Sequence, residues 1–151
     1  MPHQSIRAFT LLEVLLVCAI VGVLAALTPM AFDKLRAPAR EGTSLTSATL
    51  KSACARAIGS TSAVRLSLNA DRLGLTAETG ATCAATTWTR FPSLDVTLPN
   101  KASYVNTVPW WVCFTSRGRI QTAPPALRIT DTKGRSLGLT VYLGGAITEI
   151  P

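Results

Sequence analysis

The chain has 151 residues, of which 48% are hydrophobic and only 15% charged, and its formal net charge is +7. That length allows one small domain beside any membrane segment, not two domains. A single histidine leaves little material for acid–base catalysis, while the basic balance favours acidic partners such as nucleic acid or anionic lipid.

Residues 1–8, Met1-Pro-His-Gln-Ser-Ile-Arg-Ala8, are short, polar and basic. The next stretch, Phe9–Phe32, runs for 24 residues with one charge, Glu13. A helix of roughly 20 apolar residues crosses a bilayer. A secretory signal has a much shorter apolar core and a small-residue cleavage site after it, which does not fit this run. Arg7 on the short side predicts that the N-terminus stays cytoplasmic and that the rest is exported. An ionised carboxylate in hydrocarbon costs about 2.5–3.5 kcal/mol, so a plain anchor would not keep one. Glu13 therefore reads as functional, against the plainer alternative that it snorkels to the interface.

Residues 33–60 continue as a helix. Leu50, Ala53, Cys54, Ala57 and Ile58 recur at helical spacing and form one apolar stripe. Pro29, Pro38 and Gly42 weaken the rod, and bends or local melting are expected near Pro29 and between Pro38 and Gly42. From residue 61 the period changes to two. Val64, Leu66 and Leu68 alternate with polar residues, turn at Asn69–Asp71, and Leu73, Leu75 and Ala77 alternate again, a hairpin. Glu78–Ala85 reads as a loop. Thr86–Phe91, Leu94–Leu98, Tyr104–Val108 and Trp110–Thr115 are strand candidates. Leu127–Thr130 and Leu137–Leu143 flank the turn Asp131–Gly134, and Gly144-Gly145 leads into Ala146–Ile150. The predicted fold class is α+β: a long N-terminal helix, membrane-spanning and then amphipathic, covering one face of a mainly antiparallel β-sheet domain over 61–151.

Cys18 lies inside the apolar run and reads as a small hydrophobe. In an exported domain Cys54, Cys83 and Cys113 allow at most one bridge. Cys83–Cys113 is the preferred pair because both lie in the β-rich half, with Cys54 on the helix stripe as a core residue, but sequence alone leaves the pairing open. No CxxC or Cys/His spacing suggests a metal, and no cofactor motif is present. Trp110-Trp111 reads as part of a buried strand rather than a binding platform.

Ala8-Phe9-Thr10-Leu11-Leu12-Glu13 resembles the processing site of type IV prepilins and type II secretion pseudopilins. The resemblance implies that prepilin peptidase cuts between Ala8 and Phe9, removes the 1–8 leader and N-methylates Phe9. Ala8 stands where the family usually has Gly. Glu13 then becomes the fifth residue of the mature chain, where the family has its acid. It would neutralise the new amino terminus, its own or that of a neighbouring subunit, and so set register during assembly. Ala53–Ile58 followed by Val64-Arg-Leu is similar to GspH/FimT-type minor pilins and pseudopilins. So are Trp111-Val-Cys-Phe114 with Ser116-Arg-Gly-Arg119, Leu127-Arg-Ile-Thr130 and Val141–Gly145. The implied protein is a single-pass subunit of the bacterial inner membrane with its C-terminal domain in the periplasm, later part of a pilus at the cell surface. Its implied partners are other pilin or pseudopilin subunits, the peptidase, the inner-membrane assembly platform and the membrane.

Three functions compete on the residues. A structural or priming subunit of a type IV pilus comes first, with a type II secretion pseudopilin as the alternative. A DNA-binding pilin of a competence pilus comes next: Arg117, Arg119, Lys133 and Arg135 would form a phosphate-contacting patch if their loops are neighbours. An enzyme is disfavoured, since His3 is lost with the leader and no Ser/His/Asp set, carboxylate pair or Gly-rich phosphate loop is present.

Overall fold

The computed structural model describes residues 11–35 and 37–151, with side chains over 11–23 and from residue 37 on. It divides into two units, one ending at Arg36 and the other spanning Ala37–Pro151. The first is helix α1, Leu11–Leu35, helical on both sides of Pro29. Its side chains from Leu11 to Val23 are all exposed.

The second unit, the head, opens with helix α2, Pro38–Gly59. Ala37 is non-helical, and Pro38 occupies the start of the helix. Proline bars the helical conformation for the residue before it and suits a first helical turn, where its missing N–H costs nothing. The expected melting between Pro38 and Gly42 is therefore not found; the non-helical residue lies just before the proline.

The buried stripe of α2 is longer and more polar than expected: Ala39, Thr43, Thr46, Leu50, Ala53 and Ala57, with Gly42 and Ser47 beside it. Thr43 and Thr46 satisfy their hydroxyls by donating to the carbonyls four residues back, Ala39 and Gly42, at 2.8 and 2.7 Å. Ile58, assigned to the stripe from its spacing, is 51% exposed, because the buried rows follow a 4-3-4-3-4 progression that ends at Ala57. Gly42 sits where α2 packs tightly on its neighbours. A Cβ there would meet Leu98 Cδ2 at 2.9 Å and Ile129 Cγ2 at 3.4 Å.

Nine strands follow: β1 (Ala63–Leu68), β2 (Gly74–Gly80), β3 (Thr89–Arg90), β4 (Val96–Thr97), β5 (Ala102–Tyr104), β6 (Trp111–Phe114), β7 (Leu127–Asp131), β8 (Ser136–Val141) and β9 (Ile147–Ile150). They form two antiparallel sheets rather than one. The first has the order β3-β2-β1-β6, with β4 also pairing with β2; the second is β5-β7-β8-β9. Leu68 opposes Leu75 and Ala63 opposes Gly80, so β2 continues through Glu78–Gly80, residues expected in a loop. The segment expected as strand 86–91 is strand only at Thr89–Arg90, and Pro92–Leu94 forms a 3-10 turn. The strand expected at 104–108 lies earlier, at Ala102–Tyr104.

Both sheets turn one face to α2 and bury it. Val64, Leu66, Leu68, Leu75, Ala77, Val112 and Phe114 come from the first sheet; Tyr104, Leu127, Ile129, Leu139 and Val141 from the second; Leu50, Ala53 and Ala57 from α2. Strand alternation places these positions on one face and leaves Arg65, Ser67, Trp111 and Cys113 on the other.

Candidate assembly site

Helix α1 is apolar on every side. Leu11, Leu12, Val14, Leu15, Leu16, Val17, Ile20, Val21 and Val23 occupy all directions around its axis, and Leu11 and Leu12 are each 78% exposed. A helix with no polar face is stable only when lipid or other helices surround it. Glu13 interrupts this surface in the first turn, where the positive end of the helix dipole favours a carboxylate. Ala8 and Phe9, the expected cleavage site, lie outside the described residues, as does the leader. Among the described residues no helix is long and apolar enough to cross a membrane. Side chains of the apolar run are described only as far as Val23, so the span expected over 9–32 lies partly outside them.

On the head, Cys83 and Cys113 form a disulfide with Sγ–Sγ 2.06 Å and Cα–Cα 5.9 Å. Cys113 lies on the outer face of its sheet, opposite Arg65, so the bridge ties the 81–88 loop over that face. Beneath the same loop, Arg65 donates from Nε (3.0 Å) and Nη2 (2.6 Å) to Glu78 Oε2. Its guanidinium stacks 4.1 Å from the Trp88 ring. Trp88 is fixed in turn by its Nε1–H, which donates to the Ala85 carbonyl at 2.9 Å. The sequence does not reveal this cluster, because Trp88 falls inside the 86–91 stretch whose pattern predicts a regular strand.

Cys54 is half-buried on α2, and its Sγ donates to the Gly118 carbonyl at 3.4 Å. Burial pushes its thiol pKa up, which keeps it protonated and unreactive. Cys18 is exposed on α1. Trp110 is buried, with its Nε1–H donating to the Pro125 carbonyl at 2.8 Å, whereas Trp111 is 50% exposed beside Pro109, Pro124 and Pro125. The two tryptophans thus divide between core and surface, with Trp110 just before β6 and Trp111 its first residue, on the outer face.

The four basic residues assigned to one patch are not brought together. Arg117 and Arg119 occupy the turn after β6, where Ile120 N–H donates to the Leu143 carbonyl beside the β8–β9 turn. Lys133 and Arg135 occupy the β7–β8 turn at the other end of β8. Six strand residues separate the two ends, about 20 Å. Arg135 is also committed: its Nη2 lies 2.7 Å from Asp131 Oδ2 and its Nε 2.8 Å from the same oxygen. Asp131 further accepts from the backbone N–H groups of Lys133 (2.9 Å) and Arg135 (3.1 Å). Burial alone would raise this carboxyl. The bonds from Arg135 and Lys133, together with the Arg135 charge, hold it below its ordinary value.

Residues 4–28 match the family model described as the prokaryotic N-terminal methylation motif. The chain carries a prokaryotic N-terminal methylation motif. Two solved structures show what kind of fold it is joined to. One is the minor pseudopilin EpsH from the Type 2 Secretion System of Vibrio cholerae, 18% identical, with 73% of this chain and 96% of that one covered at a TM-score of 0.54. The other is the type IV minor pilin FimU of Pseudomonas aeruginosa, 18% identical, with 74% and 92% covered at 0.53. At such identity the likeness establishes the fold: a helix packed on antiparallel sheets, as in minor pilins and pseudopilins. No curated protein matches the chain by sequence.

The head holds its helix through small residues. Gly42, Ala53 and Ala57 let the backbone of α2 approach the sheets, and Thr46 bridges to Tyr104 with 2.8 Å between hydroxyl oxygens. The signal that could have revealed this was the spacing Ala39-Thr43-Thr46-Leu50-Ala53-Ala57, obscured because threonine does not count as apolar. Among the described residues no group of His, Cys, Asp and Glu is placed to hold a metal ion.

Proposed function

We propose that the protein is a minor pilin or pseudopilin, a subunit that waits in the inner membrane and then enters a filament through its N-terminal helix. One observation carries this reading: a helix whose Phe9–Phe32 stretch holds one charge, Glu13, and whose described side chains are all exposed, precedes a head whose buried core is made of the head's own residues. Such a helix must exchange one greasy environment for another, lipid for a bundle of like helices. Prepilin peptidase cuts between Ala8 and Phe9 and methylates Phe9. The new amine is neutralised by Glu13, and in an apolar bundle the cost of leaving either charge unpaired selects one register. A type IV pilus is the assembly proposed, with the type II secretion pseudopilus as the other machine of this class. Prepilin peptidase, the assembly platform and fellow subunits are the proposed partners.

Mass spectrometry of the membrane-extracted protein tests the reading. The expected product lacks Met1–Ala8 and carries one added methyl group. A Glu13→Ala variant is processed normally but is absent from sheared filaments. Protein that begins at Met1 in cells with an active peptidase, or filaments that incorporate the variant as well as the parent, would falsify the proposal. Crosslinking from the head to neighbouring subunits then separates pilus from pseudopilus.

A further inference from the structure

One end of the head is basic, and hydrogen bonds between turns build it. The β1–β2 turn joins the next segments through Arg72 and Leu73, whose carbonyls accept from Tyr104 N–H (2.9 Å) and Leu98 N–H (2.8 Å). The turn before β5 joins the β7–β8 turn through the Lys101 carbonyl, which accepts from Thr132 N–H at 3.1 Å. Arg72, Lys101 and Lys133 are thereby gathered at one edge, all exposed. Arg72 and Lys101 hold left-handed backbone, with φ of 59° and 73°. Of the acids nearby, Asp131 is neutralised by Arg135, while Asp71, which accepts from the Leu73 N–H at 2.9 Å, and Glu41 on the first turn of α2 keep their charge, leaving the three cations in excess. Among the described residues no carboxylate pairs with Arg72, Lys101 or Lys133.

This edge is also the end at which the chain enters the head. Gly42, in the second turn of α2, faces Leu98 and Pro99, two residues before Lys101. Only residues 33–36 separate the proposed membrane span from Ala37. A fully extended chain covers about 3.5 Å per residue, so the start of α2 stays within roughly 18 Å of the last apolar residue, at whatever angle the two units meet. The other basic turn, at Arg117–Arg119, lies beside Ile58 at the far end of α2.

We propose that the edge formed by the 69–73, 99–101 and 131–135 turns is a docking surface for an anionic lipid leaflet, with Arg72, Lys101 and Lys133 reaching the headgroup phosphates. The proposal rests on the membrane-anchored reading above and extends it to the head. Its logic is charge complementarity enforced by a short tether: each cation held near an anionic leaflet strengthens association roughly fivefold, and screening by salt removes the effect. Docking would hold the head against the membrane until the subunit is extracted into a filament.

The test uses the full chain reconstituted in phosphatidylcholine vesicles with or without phosphatidylglycerol, read by amide hydrogen exchange after flotation. The expected result is at least tenfold slower exchange in the three turns on anionic vesicles only. The protection is lost in high salt and in the combined Arg72→Asn, Lys101→Asn and Lys133→Gln variant, while 115–119 exchanges equally on both lipids. Asparagine keeps the left-handed turns accessible. If the variant folds poorly, the lipid comparison with the parent chain still decides. Equal exchange on both lipids by a chain that floats overturns the docking surface alone; a chain that does not float overturns the anchor reading and this proposal with it. Protection by a DNA duplex on neutral vesicles, with none from phosphatidylglycerol, assigns the edge to nucleic acid and equally overturns it.

Discussion

The Tyr104 hydroxyl lies 2.8 Å from Thr46 Oγ1 and joins helix α2 to the second sheet inside the core. Thr46 gives its one proton to the Gly42 carbonyl, so the phenol is the donor in this pair. Tyr104→Phe removes the donor and leaves the Thr46 oxygen otherwise unserved, which is expected to cost about 1–2 kcal/mol in urea unfolding. Burial pushes the Tyr104 phenol up to about 12, and the Thr46 hydroxyl, able to turn and donate to a phenolate, limits the rise. The unfolded phenol ionises near pH 10. Stability is therefore full below pH 10 and falls between about 10 and 12, by roughly 2–3 kcal/mol. Tyr104→Phe should flatten this alkaline limb; an unchanged limb would show that other groups cause it.

The Cys83–Cys113 bridge closes a loop with a sequence separation of 30. Loop-closure entropy assigns about 3–4 kcal/mol to a crosslink of that span. The Cys83→Ala/Cys113→Ala double variant should lose this amount, and reductant should lower the melting temperature of the parent but not of the variant. Loosening is expected first at the 81–88 loop, seen as stronger acrylamide quenching of tryptophan fluorescence that is absent when Trp88 is changed to Phe.

Gly145 stands at φ +83°, and a Cβ on it would run into the Gly118 carbonyl oxygen. Gly145→Ala combines left-handed strain of about 1 kcal/mol with a collision against backbone that no side-chain rotation relieves. A loss of about 2 kcal/mol or more is expected, with faster exchange at the Ile120 amide, which donates to Leu143. Gly134, also at positive φ but with open space around it, should lose only the strain when changed to Ala.

Asp131 is held below its ordinary carboxyl value in the folded head. A depressed folded value means that stability is present above the unfolded value, near pH 4, and disappears as pH falls through the folded one. Acid unfolding of the parent should begin in that window. Asp131→Asn should lower stability at neutral pH and shift the acid transition less, as followed by circular dichroism.

The sequence by itself determined the elements whose signal is local. The 3.6-residue and two-residue periods marked α2 and the β1–β2 and β7–β8 hairpins. The Phe9–Glu13 stretch marked the processing motif, because a charge in an apolar run is conspicuous without any tertiary context. Contacts between distant segments were decided only by the tertiary structure. It split the strands into two sheets, put Thr43 and Thr46 in the core where their hydroxyls could be satisfied within the helix, and exposed Ile58 one step beyond the buried row. It also carried Arg117–Arg119 and Lys133–Arg135 to opposite ends of β8, while the 69–73, 99–101 and 131–135 turns met at one edge. Periodicity reports which face of an element is apolar; which loops become neighbours depends on how the strands cross, and no single stretch of chain encodes that.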